Sequence, residues 1–342
     1  MFKNIVVPLD GSPMADRILP HVVAIAQSGS QPARVILLRV LETTDKASTA
    51  VDSLEWHFAK AEAQAHLNEA AAQLVQLGLA AKTVLLEGGA AQRIVEHVHK
   101  HGADLVVLSS HGQGGLSGWN VSGVAQKVIY RAGASIMLVR ASDENTPVHS
   151  GVGGETIQYR HILAPLDGSQ RAASALPLAI ALTRGHGADL LVVHVVTRPE
   201  MLQRIPLSLE DAALSKRLVD RNVTEADKYF DQLRSRLLPN TQTRVLIDDS
   251  VTRALHDLVV LEQVDLVVLS AHGHSCYSQR PYGSLVDSFI TYGATSLLIL
   301  QDLASNHTRR DIDEHMTDEA TLPARRSSAA EEGRNLLAHF EI

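Results

Sequence analysis

The hydrophobic pattern of the chain alternates between two periods. Short runs that are apolar at nearly every position fall at Asn4–Leu9, Arg34–Val40, Lys82–Glu87, Asp104–Ser109 and Ser135–Arg140. Such runs predict strands covered on both faces, as in a parallel sheet. Between them, helical spacing of apolar residues predicts helices over Pro13–Gln27, Asp52–Leu77, Ala91–His101 and Ser122–Ala132. Gly29, Gly78, Gly102 and Gly133 follow the ends of those helices, where a left-handed residue commonly closes the last turn. The pattern then returns, with strands at Arg160–Leu166, Asp189–Val195, Thr243–Ile247, Asp265–Ser270 and Ser296–Leu300. Alternating strands and helices predict an α/β chain of two similar doubly wound domains, each a five-stranded parallel sheet flanked by helices. In such sheets ligands sit at the carboxyl ends of the strands, near the switch point.

The return is a duplication. Asn4-Ile5-Val6-Val7-Pro8-Leu9-Asp10-Gly11-Ser12 reappears as His161-Ile162-Leu163-Ala164-Pro165-Leu166-Asp167-Gly168-Ser169, identical at six of nine positions. Asp104–Ser109 reappears as Asp265–Ser270 without a change, and each copy continues into Xaa-His-Gly. Residues 1–141 and 159–303 are therefore read as two domains. The polar segment 142–158, with Gly151, Gly153 and Gly154, reads as a flexible linker. Residues 304–342 are charged and poor in apolar residues, so they read as a mobile tail in which Ser328 to Phe340 has the spacing of a short amphipathic helix. The last strand of each copy, Ser135–Val139 and Ser296–Leu300, is a sheet edge, and the two copies are expected to pair there.

Charge and composition narrow the partners. A net charge of −7 offers no basic face for nucleic acid. No apolar run approaches the ~20 residues of a membrane span, and the first residues lack a signal-peptide pattern, so a cytoplasmic protein is expected. With Cys276 as its one cysteine, the chain has no internal disulfide.

The candidate chemistry lies at the strand ends. Leu269-Ser270-Ala271-His272-Gly273 is followed, nine residues on, by Gly283-Ser284-Leu285-Val286, which reads as a strand, a loop and a helix opened by Gly-Ser. The first backbone N–H groups of that helix lack intrahelical partners and carry the positive end of its dipole, which suits a phosphate. Asp10 and Asp167, after Pro8 and after Pro165-Leu166, are placed to accept a hydrogen bond from an amino group such as the adenine N6. Equally, each Asp-Gly-Ser reads as a turn whose aspartate caps the next helix. Val40 and Val195, at the second strand ends, can offer backbone groups to a purine or serve as ordinary strand residues.

These segments, in this order and twice over, resemble the universal stress protein family in tandem, across roughly residues 2–140 and 159–301. The resemblance implies a Rossmann-like fold of the adenine nucleotide alpha hydrolase type, dimer-like pairing of the two copies, and a role in stress response or regulation. In its ATP-binding branch the motif is Gly-two-Gly-nine-Gly-Ser/Thr, which holds ribose and triphosphate. Carried onto the second copy, it implies nucleotide contacts at Pro165, Leu166, Asp167, Val195, Leu269, Ser270, Gly273, Gly283, Ser284 and Leu285, with Ser270 where the first glycine is expected. In the first copy the counterparts are Pro8, Asp10, Val40, Ser109, Gly112, Ser122 and Gly123. There Ser109 replaces the first glycine and Ser122-Gly123 inverts the final pair, although Gly114 and Gly115 add flexibility nearby. The second copy is therefore expected to bind ATP or a related adenine nucleotide, with or without Mg²⁺, and the first to bind weakly or act as scaffold. A homodimer is a further expectation of the resemblance. The alternative is an interaction module without nucleotide, acting through its dimer surfaces and tail.

Neither efficient catalysis nor a metal site is expected. No P-loop lysine accompanies the phosphate loop, and Ser270 with His272 lacks an orienting acid in sequence, which leaves slow nucleotide hydrolysis at most. His111 and His272 recur beside the loop, either to reach a phosphate or to pack beneath it. His97 and His101 share a helix face, yet no cysteine or carboxylate converges on them, and Cys276 is one loop thiol.

Overall fold

A computed structural model of the chain describes residues 2–29, 31–42, 53–111, 121–140, 148–151, 154–199, 208–274 and 280–301. Gly112, Gly114, Gly115, Cys276 and the helix expected in the tail lie outside the described residues. In the first half the strands are β1 (Asn4–Pro8), β2 (Arg34–Leu41), β3 (Ala80–Glu87), β4 (Leu105–Ser109) and β5 (Ser135–Val139). The helices between them are α1 (Pro13–Asp16), α2 (Leu19–Gln27), α3 (Ser53–Gln76), α4 (Ala90–His101) and α5 (Gly123–Arg131). A hairpin of β6 (Val148–Gly151) and β7 (Gly154–Ile157) leads to the second half. That half carries β8 (His161–Pro165), β9 (Asp189–Thr197), β10 (Gln242–Asp248), β11 (Leu266–Ser270) and β12 (Ser296–Leu300). Its helices are α6 (Gln170–Ala173), α7 (Leu176–His186), α8 (Leu209–Leu233), α9 (Val251–Leu261) and α10 (Ser284–Tyr292).

Within each half the strands are parallel, in the order β3-β2-β1-β4-β5 and β10-β9-β8-β11-β12. The first strand of each half thus sits inside the sheet, and the order in which strands are added reverses on its two sides, which makes the switch point. Strand residues alternate between two cores. Ile5 and Val7 face one, beneath α2 and α7, while Val6 and Leu38 face the other, beneath α4, α5, α9 and α10.

The two halves form one sheet of ten strands. β12 runs antiparallel to β5, pairing Ile136 with Ile299, Met137 with Leu298 and Leu138 with Leu297. The pairing is extended by side chains, since Gln301 N donates to Ser135 Oγ at 3.1 Å and Arg140 N to Ser296 Oγ at 3.4 Å.

Three local expectations change. The helix expected over Pro13–Gln27 is broken after Asp16 and resumes at Leu19. Pro20 has no N–H to give the carbonyl of Asp16, and Pro177 breaks the corresponding helix of the second half in the same way. Gly78, Gly102 and Gly133 take positive φ, whereas α2 closes on Ser28 in a right-handed conformation before Gly29 is reached. The segment expected to be a flexible linker carries the β6–β7 hairpin, and Ile157 and Tyr159 beyond its turn are buried.

Tyr159 lies where the halves meet on the α2 face. Its hydroxyl is 2.8 Å from His21 Nδ1, and its ring meets His186 edge-on at 5.0 Å. Burial pushes His21 down from 6.5 to about 3 and also lowers His186. Both are therefore neutral in the folded protein at neutral pH, whereas the unfolded chain takes up protons below 6.5. The contribution of His21 is complete above pH 6.5 and declines as pH falls toward about 3. By pH 5 this group alone removes about 2 kcal/mol. Urea unfolding at pH 7 and pH 5 should show that loss, reduced in His21→Leu; equal stability at the two pH values would rule it out.

Candidate functional site

At the carboxyl ends of β8, β9 and β11 lies a cleft of about 230 Å³, bounded below by the first residues of α9 and α10. All ten second-half residues singled out from the sequence line it: Pro165, Leu166, Asp167, Val195, Leu269, Ser270, Gly273, Gly283, Ser284 and Leu285. They come from three strands, two loops and one helix. A larger cavity, about 670 Å³, lies between α2 and α3, but its lining is helix side chains and includes none of the motif residues. The smaller cleft is the one at which the parallel strands end, where ligands sit in sheets of this kind.

Asp167 shows why the strand ends as it does. Its Oδ1 accepts from Ser169 N at 2.9 Å and its Oδ2 from His274 N, while Ser169 Oγ accepts from Ala172 N at 3.0 Å. The serine is thus the helix cap and the aspartate makes the turn before it, a division that corrects the simple capping expectation. Asp10 and Ser12 divide the work identically, with Ser12 N on Asp10 Oδ1 and Ala15 N on Ser12 Oγ. Burial pushes the Asp167 carboxyl up, but hydrogen bonds from the Ser169 side chain and from the N–H groups of His274 and Ser169 outweigh it and hold the group below the usual range. The carboxylate facing the cleft is ionised.

The two motif glycines of the second half have different reasons to be glycine. A Cβ on Gly273 would overlap Asp167 Oδ2, so the aspartate can close over the loop because that side chain is missing. Gly283 has ordinary extended backbone, φ −74°, and a Cβ there would meet only the Ala271 carbonyl at 3.7 Å. Among the described residues nothing demands glycine at 283. What its missing Cβ leaves is open space over the start of α10.

That start differs from its counterpart. Gly283 is the N-cap of α10 and supplies no side-chain hydrogen bond, and the Ser284 hydroxyl follows on an exposed first residue. In the first half, Ser122 is the N-cap of α5, and its hydroxyl already accepts from Ala125 N at 3.2 Å. Inversion of Gly-Ser to Ser-Gly therefore turns a helix start with free donors into one that caps itself, a bond worth about 1 kcal/mol. Pro8, Asp10, Val40 and Ser109 sit at the ends of β1, β2 and β4 as their counterparts do.

The remaining candidates do not assemble chemistry. His272 is buried, and its Nε2 lies 2.9 Å from the Arg280 carbonyl, so it holds the loop from beneath. The Ser270 hydroxyl is buried with no hydrogen-bond partner, and the Ser270–His272 pair is not joined. The rings of His97 and His101 lie 4.2 Å apart, tilted by 47°, and among the described residues no group of three His, Cys, Asp or Glu converges. No lysine or arginine lines the cleft among those residues. Sequence reasoning passed over Val193, Val251 and Leu255, which wall the cleft but carry no pattern distinct from core. It also passed over Tyr282, buried immediately before Gly283.

A sequence model of the universal stress protein family matches residues 1–140 and 158–301. The chain belongs to that family. A universal stress protein of Methanocaldococcus jannaschii is 28% identical over 144 residues, which is 41% of this chain and 83% of that one. Among solved structures, a universal stress protein from Archaeoglobus fulgidus is 14% identical with a TM-score of 0.57, covering 87% of this chain and 98% of its own. A functionally unknown protein of Pseudomonas aeruginosa is 13% identical with a TM-score of 0.60, covering 93% and 97%. At those identities the structures support the fold. Among the described residues no helix is long and apolar enough to cross a membrane.

The glycines give a direct comparison. Gly273→Ala forces a methyl group against Asp167 and should cost about 1–3 kcal/mol of stability. Gly283→Ala should cost less, about 1 kcal/mol or under, because only a cap is altered. Chemical denaturation of the two variants ranks them, and the reverse order would contradict the packing described for Gly273.

Proposed function

We propose that this universal stress protein binds ATP or a related adenine nucleotide in the second-half cleft, as a signal and not as fuel for efficient catalysis. The observation that carries this reading is the uncapped start of α10, opening on a cleft that gathers Asp167, Val195 and the Gly273 loop. The cleft is smaller than the roughly 300–1,000 Å³ of pockets that enclose whole ligands. It suits the nucleoside part, with the phosphates at its mouth over Gly283 and Ser284. Asp167, ionised and facing the cleft, accepts from the adenine N6 amine. The phosphates meet backbone N–H groups, the Ser284 hydroxyl and the helix dipole. Since no lysine or arginine lines the cleft among the described residues, Mg²⁺ is the natural companion for their charge. The first half, its helix self-capped by Ser122, binds weakly or serves as scaffold, and the halves joined through β5 and β12 act as a built-in dimer.

A second reading, an interaction module without nucleotide, draws on that self-capped first half and on serine at both first motif positions, Ser109 and Ser270. One experiment separates the two. The freshly purified protein is denatured, the released small molecules are identified by mass spectrometry, and the intact protein is titrated with ATP. About one adenine nucleotide per chain is expected, with Ser284→Asp weakening ATP about tenfold or more through like-charge repulsion. An empty protein that ignores ATP would overturn the nucleotide reading in favour of the interaction module. Two nucleotides per chain would overturn the asymmetry assigned to Ser122.

A further inference from the structure

The helix that opens on the cleft is held from the other half of the chain. Tyr282, one residue before the Gly-Ser turn, is 2% exposed, and its hydroxyl donates to the Ile129 carbonyl of α5 at 2.8 Å. Its ring meets that of Tyr130 edge-on at 5.7 Å. Tyr130 in turn donates its hydroxyl to Asp287 Oδ1, in the first turn of α10, at 3.0 Å. At the far end of the same helix, buried Arg140 Nη2 donates to the Phe289 and Ile290 carbonyls at 2.6 and 2.9 Å. Three first-half residues thus fix the approach, the first turn and the last turn of α10. Burial and the bond to Asp287 push the Tyr130 hydroxyl up to about 12, so it stays a donor throughout the neutral range.

Among the described residues the two tyrosine contacts have no counterpart in the other direction. The duplication relates Tyr282 to Val121, Tyr130 to Thr291 and Asp287 to Gln126. Val121 has no hydroxyl, and Thr291 donates its own to the Asp287 carbonyl, within α10, at 2.8 Å. Gly283 N, meanwhile, is tied to the Ala271 carbonyl at 2.9 Å, so the turn is held between its own strand end and Tyr282. From this one-sidedness we infer that the first half is the brace of the second half's phosphate turn, with Tyr282 and Tyr130 as positioning residues. The donors that follow Gly283, from Ser284 onward, are then aimed in advance by contacts from α5, and the second half alone carries an incomplete site. The consequence for affinity rests on the nucleotide reading above, but the bracing itself does not.

Two measurements on the full chain keep these apart. Hydrogen exchange is followed in the nucleotide-free protein, in Tyr282→Phe and in Tyr130→Phe. The amides of Gly283 and Asp287 should exchange about fivefold faster in each variant, the scale of one lost hydrogen bond, with Leu297–Ile299 in β12 unchanged. Unchanged rates at both sites, or equal acceleration in α10 and β12, would overturn the brace. Titration then compares ATP with adenosine. Tyr282→Phe should weaken ATP about fivefold and leave adenosine within about twofold, since adenosine has no phosphate to read the turn. Equal loss for both ligands would overturn the positioning role. A wild type that binds neither ligand would overturn the nucleotide reading alone, and the exchange rates still decide the brace.

Discussion

The structure depends on one pairing, the antiparallel contact of β5 with β12. Each half of this universal stress protein is a five-stranded parallel sheet whose last strand would otherwise be a bare edge. Three residues on each side close that edge, and Ser135 and Ser296 carry the closure past the strands by accepting from Gln301 N and Arg140 N. Since both edges belong to one chain, no second molecule is needed to cover them. The same junction brings α5 against α10 and Tyr159 against His21 and His186, so the packing between the halves on both faces follows from it.

Duplication gave two halves of the same plan, and small chemical changes made their strand ends unequal. The decisive difference is a reversed pair of residues. Gly283-Ser284 leaves the first donors of α10 without a cap, whereas Ser122-Gly123 lets a hydroxyl occupy one of them. The cost of an open helix start is about 1 kcal/mol, and it is tolerated where α10 is secured by other means. Arg140 on its last carbonyls and Tyr130 on its first turn are such means. Loss of a self-sufficient cap in one half and added contacts from the other form a consistent arrangement, in which a helix with an open start is stabilised from behind.

Much of this was legible in the residues. Continuous apolar runs such as Val106–Leu108 predict buried parallel strands because covering both faces requires apolar side chains on both. The repeated Pro-Leu-Asp-Gly-Ser and the nine-residue spacing from Gly273 to Gly283 predict the cleft, because strand ends in a doubly wound sheet converge by topology alone. Less legible were details in which two local rules compete. The break at Pro20 was masked by the helical spacing on either side of it, and Gly29 follows a helix that had already ended on Ser28. Residues 148–157 have a linker's composition, yet they form a hairpin whose far end, Ile157, packs against the core.

The sequence by itself determined the repeat, the parallel sheets, and which residues stand at the strand ends, since each follows from periodicity and order along the chain. Only the tertiary structure decided what those residues touch. That Gly273 is glycine to admit Asp167, while Gly283 is glycine over open space, depends on atoms 106 and more positions apart or on none at all. That Tyr282 reaches across to Ile129, 153 residues away, has no trace in local pattern, because a buried tyrosine looks the same in sequence whichever helix receives its hydroxyl. Periodicity records which face of an element is covered; the partner that covers it is chosen by the pairing of β5 with β12.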